Sequence, residues 1–247
     1  MIIKLKAFLD SLQDSEGKFT TDNPLKSTAE YLLVNRFCPE IGVGDPGKAR
    51  TYLIDNLPLF AEYQVKKGFT LMERIWQIAV GAPEDTLHLS DHFLQLCAHV
   101  TDSVKSSLLL VLLLQNINQD LTSLLKEVIT YQEELFKTIS LDRLYETTHN
   151  LMTFYAAQQK YDITDTINES CTWLSRHVFS FSNCIDLVAE TASVSLLCGH
   201  HNERVARILS ILPEHQNEDG GVPVYANGKS EFHASLVTLW AFTASSY

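Results

Sequence analysis

QNEDGGVPVYANGKSEFHASLVTLWAF, residues 216–242, reads as a polar, glycine-bearing turn followed by a helix with an apolar face. A diluted copy opens the chain at residues 13–37, QDSEGKFTTDNPLKSTAEYLLVNRF. At a gap-free offset of 203 residues, Gln13 meets Gln216, Gly17 meets Gly220, Lys26 meets Lys229, Ser27 meets Ser230, Leu33 meets Leu236 and Val34 meets Val237. The two ends therefore read as the first and last copies of one structural unit.

Between them, helical spacing dominates and strand-like alternation is scarce. Helices are expected over 1–13, 25–37, from Asp45–Pro46 onward, 69–80, 86–99, 102–115, 118–138, 141–158, 164–177, 185–198, 202–212 and 229–244. Asp45 is placed to cap the third and Pro46 to begin it, and Pro58 should kink or shorten it. Lys66-Lys67-Gly68 reads as its stop. These are about twelve helices in six hairpins, repeating about every 41 residues, the signature of a solenoid or closed array. A second match, at offset 44, lays 141–152 over 185–196 and pairs Asp142 with Asp186 and Glu146 with Glu190. An open solenoid needs polar caps at both ends. Here both terminal units carry apolar helices, which favours closure of unit six on unit one. The expected fold is all-α, an (α/α)6 toroid forming a single domain over 1–247, with even-numbered helices inside.

Composition limits the function classes. The chain has 247 residues, 45% of them hydrophobic, enough for a sizeable core. Its net charge is −11, and no run of Lys or Arg exceeds two. Counterion release on nucleic acid needs clustered cations, so neither nucleic acid nor an anionic membrane surface is an expected partner. The apolar run Leu108–Leu114 is too short to span a bilayer. The N-terminus lacks the long apolar core of a signal peptide. Five cysteines without a C-x-x-C pair read as reduced thiols and a cytoplasmic location.

The Gln-x-x-Asp-Gly-Gly run at Gln216, Asp219, Gly220 and Gly221, leading into a helix with Ser230 and Leu236, resembles the repeated turn motif of the terpenoid-cyclase and protein-prenyltransferase toroids. The glycines permit positive φ in a tight turn, and the Gln and Asp side chains are expected to bond the start of the inner helix. The resemblance is specific over about 30 residues at the C-terminus and weaker over 5–37. Val222 stands where the cyclase motif continues with Trp. The aspartate-rich acid motif, the D-D-x-x-D motif and the prenyltransferase zinc set have no counterpart here. Cys198-Gly199-His200-His201 shares little with the zinc site of lanthionine cyclases, another toroid family. The resemblance thus implies the fold, and no particular chemistry.

In such a ring, polar residues near the starts of inner helices face the central cavity. They are Ser27, Thr28 and Glu30; Glu73 and Arg74; Asp102 and Lys105; Asp142, Glu146 and His149; Asp186 and Glu190; Glu231 and His233. Glu146 and His149, at i and i+3, share a helix face. Glu190 holds the equivalent place in the next unit, and Glu231 and His233 in the last. These five are the candidate catalytic residues. Glu146, His149, Glu190 and His233 could also hold a divalent Fe, Mn or Zn, although first-turn acids also complement the helix dipole in proteins without any site. His88, His92 and His99 with Asp91 could hold zinc or form a solvated helix face. Tyr31, Trp76, Phe154, Tyr155 and Trp240 could wall a pocket or pack the core. Two functions fit: a small-molecule-processing enzyme of lyase, cyclase or transferase type, as in a tailoring step of specialised metabolism, or a non-catalytic module that binds a ligand or partner protein.

Overall fold

The computed structural model describes residues 1–67, 102–114 and 120–246. The described chain is all-α apart from one short hairpin. The helices are α1 (Ile2–Leu12), α2 (Pro24–Phe37), α3 (Pro46–Lys67), α4 (Asp102–Leu114) and α5 (Thr122–Leu135). They continue as α6 (Leu141–Ala157), α7 (Thr164–His177), α8 (Ile185–Leu197), α9 (Glu203–Ile211) and α10 (Phe232–Ala244). Each coincides with an expected helix. The expected helices at 69–80 and 86–99, with His88, Asp91, His92, His99, Glu73, Arg74 and Trp76, lie outside the described residues.

Local chemistry sets most boundaries. Asp45 Oδ1 accepts from the amides of Gly47 (2.9 Å) and Lys48 (3.1 Å), capping α3 as expected. Asn23 caps α2, Ser140 caps α6 and Asn202 caps α9. Pro58 does not shorten α3, which runs on to Lys67. One lost backbone bond in a long helix is outweighed by the turns on either side. The last helix starts three residues later than expected. Ser230–Glu231 (β2) pairs instead with Val222–Pro223 (β1) in a two-stranded antiparallel hairpin.

The helices divide into two kinds. In α8 every residue from Ile185 to Leu196 is buried, and α2, α4 and α10 are buried along most of their length. In α5, α7 and α9 only a stripe is buried, such as Leu125, Val128 and Leu135 on α5. The buried helices pack in succession: α4 on α6, α6 on α8, α8 on α10, and α10 on α2. At their far ends the Arg36 guanidinium of α2 donates to the Leu114 carbonyl of α4. Small side chains allow the close approach: Ser193 on α8 donates to the Val237 carbonyl of α10 at 2.7 Å.

The repeated turn carries its own logic. Gln13 Nε2 donates to the Gly17 carbonyl (3.0 Å), and Gln216 Nε2 to the Gly220 carbonyl (2.8 Å). The backbone bonds Asp14 to Lys18 and Asn217 to Gly221 match as well. Gly17 (φ +96°) and Gly220 (φ +92°) hold the left-handed step. The two glutamines also reach outward, to the start of the next half-exposed helix rather than to the inner helix. Gln13 exchanges bonds with the Asp45 backbone at the start of α3, and Gln216 donates to the Met1 carbonyl at the start of α1 (3.1 Å). The glycines are pressed there. A Cβ on Gly17 would lie 2.4 Å from the Lys48 backbone, and one on Gly220 2.6 Å from the Lys4 carbonyl oxygen. The turn of the last unit thus docks on the first helix as the turn of the first unit docks on the third.

Beyond the turn the offset changes. Phe19 N–H bonds the Thr28 hydroxyl, whereas its counterpart Val222 N–H bonds Ser235, 207 residues past Thr28 and not 203. The β-hairpin absorbs the extra helical turn. Ser27 and Ser230 are therefore not equivalent, and Lys26 on α2 takes the place that His233 takes on α10.

Candidate functional site

The starts of α2, α8 and α10 meet at a cavity of about 580 Å³. Phe8, Leu12 and Phe232 supply apolar lining, and Lys26, Glu30, Asp186 and His233 supply charged lining. Asp186 is the second residue of α8 and His233 the second residue of α10, so both sit in first turns where helix dipoles favour a carboxylate. His233 Nδ1 and Asp186 Oδ1 are 2.8 Å apart. The Tyr145 hydroxyl, from α6, donates to the other carboxylate oxygen at 2.8 Å, with the Cys184 thiol 3.3 Å behind it. On α2, Lys26 pairs with Glu30 at 3.5 Å. Both oxygens of Asp186 are therefore engaged although the residue is almost fully buried.

One helical turn inward from Asp186, on the same face of α8, is Glu190, 3% exposed. Its Oε1 lies 2.9 Å from the Thr148 hydroxyl and 3.5 Å from His149 Nε2, both on α6. Its Oε2 is buried without a hydrogen-bond partner. The Thr148 hydroxyl has a second acceptor in reach, the Tyr145 carbonyl at 2.7 Å. It can donate to an ionised Glu190, or turn to that carbonyl and accept the proton of a neutral one. The site holds either state of the carboxyl.

The charges follow from burial and neighbours. Burial pushes the Glu190 carboxyl up to about 7, with Asp186 and Glu30 adding to the rise against the pull of His233. Burial, together with His233 and Lys26, pushes His149 down to about 4. Burial also opposes the charge of His233, but Asp186, Glu30 and Glu190 outweigh it and lift that imidazole to about 10. Asp186 ends below the usual carboxylate range, because His233 and Tyr145 outweigh its own burial. At neutral pH, His233 and Asp186 form an ion pair, His149 is neutral and Glu190 exchanges its proton. With His149 neutral, its 3.5 Å contact with Glu190 is not a salt bridge at neutral pH.

Of the five residues singled out from sequence, the fold brings three together: His149, Glu190 and His233. Glu146 turns away and accepts from the Tyr131 hydroxyl of α5. It occupies the same helical position as Glu190, but its neighbour is the half-exposed α5. Glu231 is the exposed N-cap residue of α10 and lies on the cavity lip. The expected metal set is not assembled: among the described residues no three His, Cys, Asp or Glu side chains stand together as ligands. Glu146 is engaged elsewhere, and His233 carries a proton on each nitrogen at neutral pH. Asp186 and Glu30 stood in the wider set of rim residues but not among the five. Asp186 was legible as the i−4 neighbour of Glu190. Tyr145 had no sequence signal, because its partner lies 41 residues away. Tyr31, Phe154 and Trp240 are core residues, and the Tyr31 hydroxyl is bonded to the Val43 carbonyl. The apolar cavity wall comes instead from Phe8, Leu12 and Phe232.

No protein-family model, curated protein or solved structure matches the chain. Among the described residues no helix is long and apolar enough to cross a membrane.

Proposed function

We propose that this protein is an enzyme that moves protons on a small molecule held in the 580 Å³ cavity of a six-hairpin (α/α)6 toroid. The toroid reading rests on the repeated turn. The first turn docks on the start of α3 and the last turn docks on the start of α1, the contact that closure of a ring of six units calls for. It keeps the resemblance to the terpenoid-cyclase toroids at the level of the fold.

The observation that carries the catalytic reading is Glu190. A carboxyl that exchanges its proton near pH 7, almost fully buried and with one oxygen partnerless, is costly to keep in a core. Groups tuned in this way concentrate at functional sites. Glu190 stands one turn behind the lining residue Asp186, and acts as the general acid or base for a molecule that reaches past that wall, with neutral His149 beside it at 3.5 Å. The His233–Asp186 pair, steadied by Tyr145, presents a fixed N–H donor to the bound molecule. Isomerisation, elimination and cyclisation are the reaction types that such a set performs.

The test incubates a cell extract of small molecules with the wild-type protein and with Glu190→Gln, and follows both by mass spectrometry. A compound consumed by the wild type and at least about a hundredfold more slowly by the variant is the expected result, the usual size of a general acid–base contribution. Equal consumption by both proteins, or none by either, overturns the reading and leaves the cavity as a ligand-binding module.

A further inference from the structure

We infer that Cys171 and Cys198 form a modification site, a pair of free thiols that an oxidant joins into a disulfide. Neither residue lines the cavity, and the site does not depend on catalysis there. Cys171 sits on the buried stripe of α7 with Ile167 and Leu174, and is 1% exposed. Cys198 is the C-cap residue of α8 and is partly exposed. The two helices pack on each other. Two residues past Cys198, His200 Nε2 bonds Asn168 Oδ1 at 2.9 Å. Asn168 stands three residues before Cys171, on the same face of α7. That bond pins the Cys198-Gly199-His200 corner to the turn of α7 that carries Cys171. The two thiols meet there. The hydrogen bond with Cys171, and then burial, hold the Cys198 thiol well above its usual range. Cys198 Sγ also faces the Leu151 carbonyl of α6 at 3.8 Å, which closes the pair on its inner side. Next to it Gly199 has a φ of +78°, with no atom within 4 Å of where a Cβ would stand.

The oxidant is a peroxide. Cys198, the more exposed of the two, reacts first. Its thiolate attacks one oxygen of hydrogen peroxide, the O–O bond breaks, hydroxide leaves, and Cys198 becomes a sulfenic acid. Cys171 Sγ then attacks Cys198 Sγ. The S–O bond breaks, and the hydroxyl leaves as water with the Cys171 proton. Two thiols lose two electrons and two protons, and one peroxide becomes two waters. The first step is slow, because the thiolate is the nucleophile and a raised thiol supplies little of it. The second is fast, because the partner is already in contact. The sulfurs close to about 2.05 Å in a disulfide. The end of α8 can take up that shift, since Cys198 is its last half-helical residue and a glycine with open space follows. The bond joins half-exposed α7 to the far end of the helix that carries Asp186 and Glu190.

The experiment treats the reduced protein with excess hydrogen peroxide, unfolds it, blocks the remaining thiols with iodoacetamide and maps the peptides by mass spectrometry. The expected product is a peptide pair linked through Cys171 and Cys198, lighter by two hydrogens than the reduced pair and separated again by dithiothreitol. Cys38 and Cys184, both buried, should be recovered alkylated. The linked protein should unfold at a midpoint on the order of 5 °C above that of the reduced protein, because the bond closes a loop in the unfolded chain. Cys171→Ser should stop the reaction at a sulfenic acid on Cys198, trapped by dimedone, and Cys198→Ser should leave Cys171 unmodified over the same time. A different pairing, a sulfenic or sulfinic acid on Cys198 of the wild type with no link, or no oxidation of either thiol overturns the site. A lower midpoint in the linked protein also overturns it, since the bond would then distort the packing instead of fitting it.

Discussion

Glu190, His149 and His233 are three ionisable side chains whose surroundings move them in different directions. Glu190 rises from an ordinary 4.5 to about 7, so between those values the folded chain holds a proton that the unfolded chain has lost, and stability falls with pH. His149 drops from 6.5 to about 4, so over that interval the unfolded chain holds the extra proton and stability rises with pH. His233 rises from 6.5 to about 10, so its contribution is complete below pH 6.5 and is lost as pH climbs through 10. Together these three groups give a plateau between about pH 4.5 and 6.5 and a decline above it. Glu190→Gln removes one of the opposed slopes and should turn the plateau into a rise toward pH 6.5. Urea unfolding of both proteins across pH 4.5–8 checks this, and a plateau kept in the variant would count against the Glu190 assignment. Asp186→Asn leaves the burial of His233 less opposed. Its imidazole should then titrate several units lower by NMR, and an unmoved titration would show that the pair does not set its charge.

At the scale of elements, the turn is where sequence and structure agree most closely. Gly17 and Gly220 combine a left-handed φ with a neighbouring backbone that leaves no room for a Cβ. Gly199 has a similar φ of +78° but nothing within 4 Å of a Cβ. Gly220→Ala and Gly17→Ala should each cost about 1–3 kcal/mol more than Gly199→Ala, measured by chemical unfolding. Equal costs at all three sites would mean that the turns do not bear on the next helix. The helix boundaries were legible because caps and stop signals are local: Asp45, Asn23, Ser140 and Asn202 act within three residues of themselves. The hairpin at Val222–Glu231 was not legible. A two-residue strand has no periodicity to read, and the apparent match of Ser27 with Ser230 hid the change of offset.

For the whole molecule, the question is whether the fold needs both ends of the chain. Helix α10 packs on α1 and α2 as well as on α8. Leu5 and Leu9 of α1 are fully buried, as is Tyr31 of α2. Deleting residues 1–37 should therefore abolish cooperative unfolding of the remainder, seen as loss of a sharp thermal transition by circular dichroism. An open solenoid would lose only its end unit and keep a sharp transition, and that result would sink the closed toroid.

Among the described residues, the sequence by itself determined the helices, their alternation between fully buried and half-buried, and the repeated turn, because helical period, capping and glycine conformation act over a few residues. It also placed Glu190, His149 and His233 near helix starts. Only the tertiary structure decided which of the equivalent acids would matter. Glu146 and Glu190 occupy the same position in consecutive units, and one meets a tyrosine hydroxyl from α5 while the other is sealed against Thr148 and His149. Burial and neighbouring charge set the protonation of a carboxyl, and both come from side chains brought together across dozens of residues of chain.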